Sequence, residues 1–274
     1  MKKWLIGLAV ATAAYFLLKG LMTMFFYGTL FRVDSFHIFY GRPDQEKLED
    51  LAQQDAAIIE PTAFTKEDLS FLRKKNVMLF GYVSLMQLEN WNEELKQHVA
   101  PSDYWLQEGE RLYVPDWDTY VMNISEPHYR DVLMHKISTE IVEKQMDGIF
   151  FDTVDDLDYY FRDDLAAKKA MQAGYKQLLD EVKSAYPDLL IIQNRGFESY
   201  KAVSRKKVEG ILWEGFDKQD IEKSDWAQNW REYFKKEQRF GQVRVFTVVS
   251  DDASLQQSRR DRFPAFMRTG DTYQ

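Results

Sequence analysis

The chain of 274 residues is 45% apolar and 29% charged, which fits one or two globular domains and excludes a disordered or collagen-like polymer. It has no cysteine, so disulfide frameworks, thiolate zinc sites and cysteine nucleophiles are excluded together. The formal net charge of -8 argues against nucleic acid as a partner.

The acid excess is unevenly placed. The first thirty residues hold Lys2, Lys3 and Lys19 and no acid, so the remainder carries an excess of eleven acids. A domain that acidic attracts cationic partners. Lys2 and Lys3 precede the uncharged stretch Trp4–Leu18, and apolar character resumes after Lys19 as far as Tyr27. At about 1.5 Å per helical residue, Trp4–Tyr27 is long enough to cross a ~30 Å hydrocarbon core, with Lys19 snorkelling toward its outer end. The two leading lysines put the N-terminus in the cytoplasm. Residues 1–30 are therefore predicted to be an uncleaved signal anchor with one transmembrane helix, membrane contact running through residues 4–27. Residues 31–274 are predicted to be one extracytoplasmic domain of a single-pass cell-membrane protein. The competing prediction is a secreted protein whose signal is cut among the small residues of Ala9–Ala14, which leaves a very short apolar region and a very apolar new N-terminus.

Along the domain, short apolar runs rich in β-branched and aromatic residues occur at 35–40, 56–60, 77–84, 148–152, 189–194, 208–214 and 243–250, with a weaker eighth at 263–267. Amphipathic stretches lie between them. Thr65-Lys-Glu-Asp68 reads as a capping box opening a helix. Tyr129, Val132, Leu133, Ile137 and Ile141 recur at helical spacing on one face, and Leu165, Met171, Leu178, Leu179 and Val182 form a looser one. Strands that are apolar throughout indicate a parallel sheet covered by helices. A doubly wound open sheet shares the pattern, but eight strands in about 240 residues favour a (β/α)8 TIM barrel of the α/β class.

The residues that end these strands are the informative ones, because the carboxyl ends of parallel strands converge on one mouth. Tyr40, Glu60, Asp152, Asn194 and Glu214 each close a predicted strand, and Arg195 follows Asn194. Asp152 and Glu214, backed by Phe150, Phe151, Leu212 and Trp213, are placed for partial desolvation. Single acids at strand ends often only cap the next helix. Two carboxylates facing across a cleft, one protonated and one ionised, are the minimum machinery for glycosidic cleavage.

The acidic run Asp152–Asp158 lacks EF-hand spacing, and His37, His98, His128 and His135 show no metal-ligand spacing, so no metal is expected. Dinucleotide, P-loop and nucleophile-elbow motifs are absent, and no cofactor is expected. Trp91, Trp105, Trp117 and Trp213 fall near strand-end loops, and Trp213 with one loop tryptophan is expected to stack on sugar rings.

The stretch Asp147-Gly-Ile-Phe-Phe-Asp-Thr-Val-Asp155, followed by Gln193-Asn-Arg-Gly-Phe-Glu198, resembles the endo-α-1,4-polygalactosaminidase family, glycoside hydrolase family 114. The resemblance runs over most of 35–250 and takes in Phe80-Gly-Tyr82-Val-Ser84, which adds Tyr82 to the expected substrate contacts. It implies a (β/α)8 barrel that cuts α-1,4-linked galactosamine or N-acetylgalactosamine exopolysaccharide, with Asp152 as nucleophile and Glu214 as acid/base. It also implies that Asp155, Asn194 and Arg195 hold sugar hydroxyls or position the acids. Glu198 is the rival to Glu214, four residues beyond its strand end. Two departures stand out: Leu85-Met86-Gln87 replaces a Gly-Glu frequent in the family, and the last strand is a weak match.

The expected partner is a cationic or partly acetylated amino-sugar polysaccharide, which suits an acidic domain. The alternative expectation is a barrel that binds such a polymer without cutting it, among the proteins of a polysaccharide synthesis or export complex. A metal-dependent hydrolase is the third.

Overall fold

The computed structural model of the chain describes residues 28–270 together with Thr272 and Tyr273. The predicted anchor Trp4–Tyr27 lies outside the described residues, and no described helix is long and apolar enough to cross a membrane.

Eight parallel strands follow one another around the sheet in chain order. They are β1 (Phe36–Phe39), β2 (Ala56–Ile59), β3 (Met78–Ser84) and β4 (Gly148–Asp152), then β5 (Leu190–Asn194), β6 (Gly210–Trp213), β7 (Arg244–Val249) and β8 (Ala265–Met267). Every predicted run contains one of them. No ladder joins β8 to β1 among the described residues; instead Phe266 packs on Phe36 and His37, with ring centroids 6.1 and 4.7 Å apart. The result is a nearly closed (β/α)8 barrel, not an open doubly wound sheet.

The helices on the outside include α1 (Gln45–Leu51), α2 (Lys66–Lys74), α3 (Pro127–Lys136), α4 (Leu165–Ala185), α5 (Phe197–Ser199), α6 (Asp225–Arg239) and α7 (Asp252–Asp261). α3 and α5 run on into π-helical turns at Ile137–Val142 and Tyr200–Ser204. The predicted capping box opens α2, with Thr65 and Asp68 each accepting the other's backbone N–H. The predicted face of α3 is wholly buried. That of α4 is buried except Leu165, which is 68% exposed in the first turn.

The period-two geometry of a strand divides the apolar residues into two cores. Phe36, Ile38, Ala56, Ile58, Phe80, Phe150, Ile192, Leu212 and Phe246 fill the barrel, and Ala57, Ile59, Leu79, Ile149, Phe151, Ile191, Ile211, Trp213 and Val245 face the helices. Each fully buried Val, Leu, Ile or Phe side chain among them contributes about 1.5–3 kcal/mol of transfer free energy. Leu30, the last residue of the predicted anchor, is 1% exposed and belongs to the inner core, so the barrel domain already includes it.

The largest departure from the predicted pattern lies between β3 and α3. There the chain builds a three-stranded antiparallel sheet (Gln87–Glu89, Tyr113–Val114, Thr119–Val121) and a hairpin pairing Leu106–Gln107 with Glu110–Arg111. Strands of two or three residues are too short to show a period. This insertion begins at the carboxyl end of β3 and so stands beside the mouth.

Candidate active site

Side chains two residues beyond the inner core point the same way as that core. On β4 this carries the chain from Phe150 to Asp152, on β5 from Ile192 to Asn194, and at the end of β6 from Leu212 to Glu214. The three meet. Asn194 Nδ2 donates to Asp152 Oδ1 at 2.7 Å and to Glu214 Oε2 at 3.1 Å. Because both oxygens rest on one nitrogen, their separation cannot exceed the sum of those two lengths; amide hydrogens set ~120° apart bring it to about 5 Å.

The turns that follow β4 and β5 hold this arrangement. Thr153 and Arg195 have φ of 59° and 47°, the left-handed region that β-branched and bulky residues seldom occupy. Thr153 N–H donates to Asp152 Oδ1 at 2.8 Å, and Thr153 Oγ1 accepts from the N–H groups of Leu85 and Met86, tying the β3 loop to the site. Gly196 follows Arg195 at φ 57°, with Val154 so near that a Cβ would approach it to 2.9 Å. The Asn-Arg-Gly sequence is thus a consequence of two successive left-handed residues, of which the second has no room for a side chain.

Asp152 Oδ1 is filled by Thr153 and Asn194, and its Oδ2 has no hydrogen-bond partner among the described residues. Burial pushes its carboxyl up to about 6; the Asn194 hydrogen bond opposes this and the Glu214 charge adds to it. Glu214 sits differently. Its Oε2 accepts from Asn194, while Oε1 accepts from Arg268 Nη1 at 3.3 Å and from the Tyr273 hydroxyl. Asp155 pairs with Arg195 at 3.4 Å; burial raises its carboxyl and the guanidinium counters that. Arg195 Nη1 also donates to the Glu214 carbonyl at 3.3 Å.

Tyr40 and Tyr82 form an aromatic wall, their rings 4.9 Å apart, with Tyr273 5.3 Å from Tyr40. Burial, then the Asp152 charge, raises both phenols well above the ordinary range, so they are neutral donors. Glu60 accepts from Thr62 N and Oγ1 at 3.1 and 2.7 Å, making it the cap of a short turn. It also lines, with Tyr82, Ser84, Glu89, Trp91 and Lys136, a cleft that adjoins the wall. Trp91 is 70% exposed there.

One expectation needs correction. Trp213 is no sugar platform: it is 3% exposed and wedged among Phe197, Phe216 and Phe234 under α6. The reason is strand geometry, since Trp213 and Glu214 are neighbours and cannot share a face. Glu198 is not in the centre; it pairs with Lys168 at 2.6 Å on the exposed side of α5. Gln87, in the segment that replaces the family's Gly-Glu, is buried and structural: it donates to Asp156 at 2.7 Å and accepts from Thr119 at 2.6 Å.

Sequence reasoning missed Arg268 and Tyr273. Arg268 lies two residues past Phe266, so the period-two rule applied to the weak eighth strand would have found it. Tyr273 follows a segment with no periodic signal. Among the described residues no three acids or histidines converge in metal-binding geometry.

The sequence profile of glycoside-hydrolase family GH114 matches residues 29–239. In structure the chain is similar to the glycoside hydrolase domain of PelA from Pseudomonas aeruginosa, with TM-score 0.70, 15% identity, and coverage of 86% of this chain and 94% of that one. It is also similar to Aspergillus fumigatus Ega3 in complex with galactosamine (TM-score 0.63, 15% identity, 85% and 89% covered). The α-galactosidase TtGalA from Thermus thermophilus gives TM-score 0.58 at 9% identity, with 86% and 58% covered. At these identities the likeness shows the fold. Among curated proteins none matches the chain.

Proposed function

The chain belongs to glycoside-hydrolase family GH114 and is a glycoside hydrolase, and from that premise we propose that it cleaves α-1,4-linked galactosamine-rich polysaccharide within the chain, with retention of configuration. The substrate class is supported by the galactosamine held in the similar Ega3 structure and by the acid excess of the domain, which attracts a polymer carrying free amines.

One observation carries the chemistry: a single amide nitrogen bridges Asp152 and Glu214. The bound it sets on the distance between Asp152 Oδ1 and Glu214 Oε2 falls below the ~6.5–9.5 Å that leaves room for an attacking water, and the ~5 Å of ideal geometry matches the ~5–5.5 Å of retaining enzymes. In the first step Asp152 Oδ2 forms a bond to the anomeric carbon as the glycosidic C–O bond breaks, and Glu214 gives its proton to the departing oxygen. In the second, water attacks the same carbon, its proton passes to Glu214, and the bond to Asp152 breaks. Asn194 and the Thr153 N–H fix Asp152 Oδ1 so that Oδ2 is the attacking atom. With its carboxyl at about 6, Asp152 is ionised for this role at neutral pH.

The lysine-flanked apolar stretch Trp4–Tyr27 supports a place for the reaction outside the cytoplasm, on a membrane-anchored or secreted protein. The test is to incubate the purified protein with α-1,4-linked galactosamine oligomers and follow the first product by proton NMR. Release of α-configured reducing ends is expected. A β-configured first product would remove the retaining step, and no release would remove the substrate.

A further inference from the structure

Glu214 is wired to a part of the chain beyond the last strand. Arg268, the residue after β8, donates to its Oε1 from Nη1, and Tyr273 donates to the same oxygen from its hydroxyl. Tyr273 also sits at the open seam of the barrel at the mouth. Tyr40 N–H, at the end of β1, donates to the Tyr273 carbonyl at 2.7 Å, and the Tyr273 ring lies 5.3 Å from Tyr40 and 6.2 Å from Phe266. The Arg268 guanidinium sits 5.7 Å from the same ring. Burial, with the Glu214 charge adding to it, drives the Tyr273 phenol far above its ordinary range, so it remains an O–H donor.

We propose that Arg268 and Tyr273 are positioning residues for the acid of the reaction: by filling Oε1 of Glu214 they direct its proton to Oε2, the oxygen beside Asn194 and Asp152. This rests on the assignment of Glu214 as the acid. The proton that leaves Oε2 goes to the departing glycosidic oxygen, and the carboxylate formed finds Arg268, Tyr273 and Asn194 already aimed at it. Donors fixed where charge develops favour the transition state without reorganisation. Two other uses of the segment give different results. A seam closure needs only the ring and the backbone carbonyl, and a plug that occludes the mouth gives higher activity when loosened.

Tyr273→Phe separates these, because it removes one oxygen and keeps the ring and the Tyr40 bond. Arg268→Met and Arg268→Lys form the second series. kcat and KM on α-1,4-linked galactosamine oligomers are measured across pH, alongside the thermal unfolding midpoint. Expected is a fall in kcat of about tenfold or more for Tyr273→Phe and a larger one for Arg268→Met, with KM within about twofold and partial recovery in Arg268→Lys. An unchanged kcat, a gain in activity, or a change in KM alone would each overturn the positioning role while leaving the proposed function in place. An inactive wild-type protein would overturn both.

Discussion

β4 and β6 are each bracketed by acids, in the parallel sequences Asp147-Gly-Ile-Phe-Phe-Asp152 and Glu209-Gly-Ile-Leu-Trp-Glu214. The two ends differ in how their carboxylates are satisfied. At the foot, Asp147 accepts the Leu79 N–H at 2.8 Å, and Glu209 accepts the Ile191 N–H at 2.9 Å and the Lys183 ammonium at 2.7 Å. Each of these acids also donates its own N–H to the carbonyl of the residue it caps, at 2.9 and 3.0 Å. They finish the ladders of β3 and β5. At the mouth, Asp152 and Glu214 share a neutral amide, and Asp152 keeps an oxygen with no partner among the described residues. Identical residue types are therefore structural at one end and chemically available at the other. Strand direction decides which.

The contrast breaks first at the mouth. Asp152→Asn and Glu214→Gln should each lower kcat on galactosamine oligomers by a thousandfold or more, at least about 4 kcal/mol of barrier. Stability should not fall in Asp152→Asn. A carboxyl raised to about 6 is one whose charge the native state disfavours at pH 7, and the amide that replaces it still accepts from Thr153 and Asn194. Parallel kinetics and denaturant unfolding check both halves. An Asp152→Asn protein that unfolds early and retains activity would make this acid a structural one after all.

The foot should answer in the opposite sense. Glu209→Ala leaves the Ile191 N–H and the Lys183 ammonium without their acceptor, at a cost of about 1–3 kcal/mol in unfolding free energy. kcat should stay within about twofold at a temperature where the variant is folded. Loss of kcat with unchanged stability would mean that the foot communicates with the chemistry, and the division by strand end would fail.

How much of this is legible in the chain follows from the same geometry. The eight apolar runs name the strands because a parallel strand buried on both faces has little choice of residue, and even the weak run around Phe266 contains β8. The acids and amide that end three strands are legible for the same reason, since parallel direction sends all of them to one rim. Trp213 goes astray when a strand end is treated as a point and not as two faces, and Arg268 escapes by the same omission. The insertion between β3 and α3 shows no period because its strands are two or three residues long. Tyr273 has no local signal of any kind: its place depends on a backbone bond to Tyr40 and on a carboxylate that reaches it only after the barrel has closed.

A carboxyl held by an amide, with no cationic partner among the described residues, recurs four residues beyond Asp152. Asp156 is 8% exposed and accepts from Gln87 at 2.7 Å. Burial pushes its carboxyl up to about 8; the Gln87 hydrogen bond opposes this, and the charges of Asp155 and Asp152 add to it. A carboxyl raised above its unfolded value of 3.8 binds its proton more tightly in the native state. Its stabilising contribution is thus complete below that value and is lost as pH rises through about 8. Asp152 acts in the same direction but is spent by about 6. Asp156→Asn keeps an acceptor for Gln87 and removes the charge. It should stabilise the protein at pH 8 by about 1–2 kcal/mol, less than the full shift implies because buried charges recover part of their cost through relaxation and water entry. At pH 5 the native acid is neutral but the unfolded one is already ionised above 3.8, so the same substitution should give only about a third of that gain. Denaturant midpoints at the two pH values read the difference. An equal gain at both would trace the effect to packing, and no gain at pH 8 would mean that water already reaches this acid and the mouth is less dry than its burial indicates.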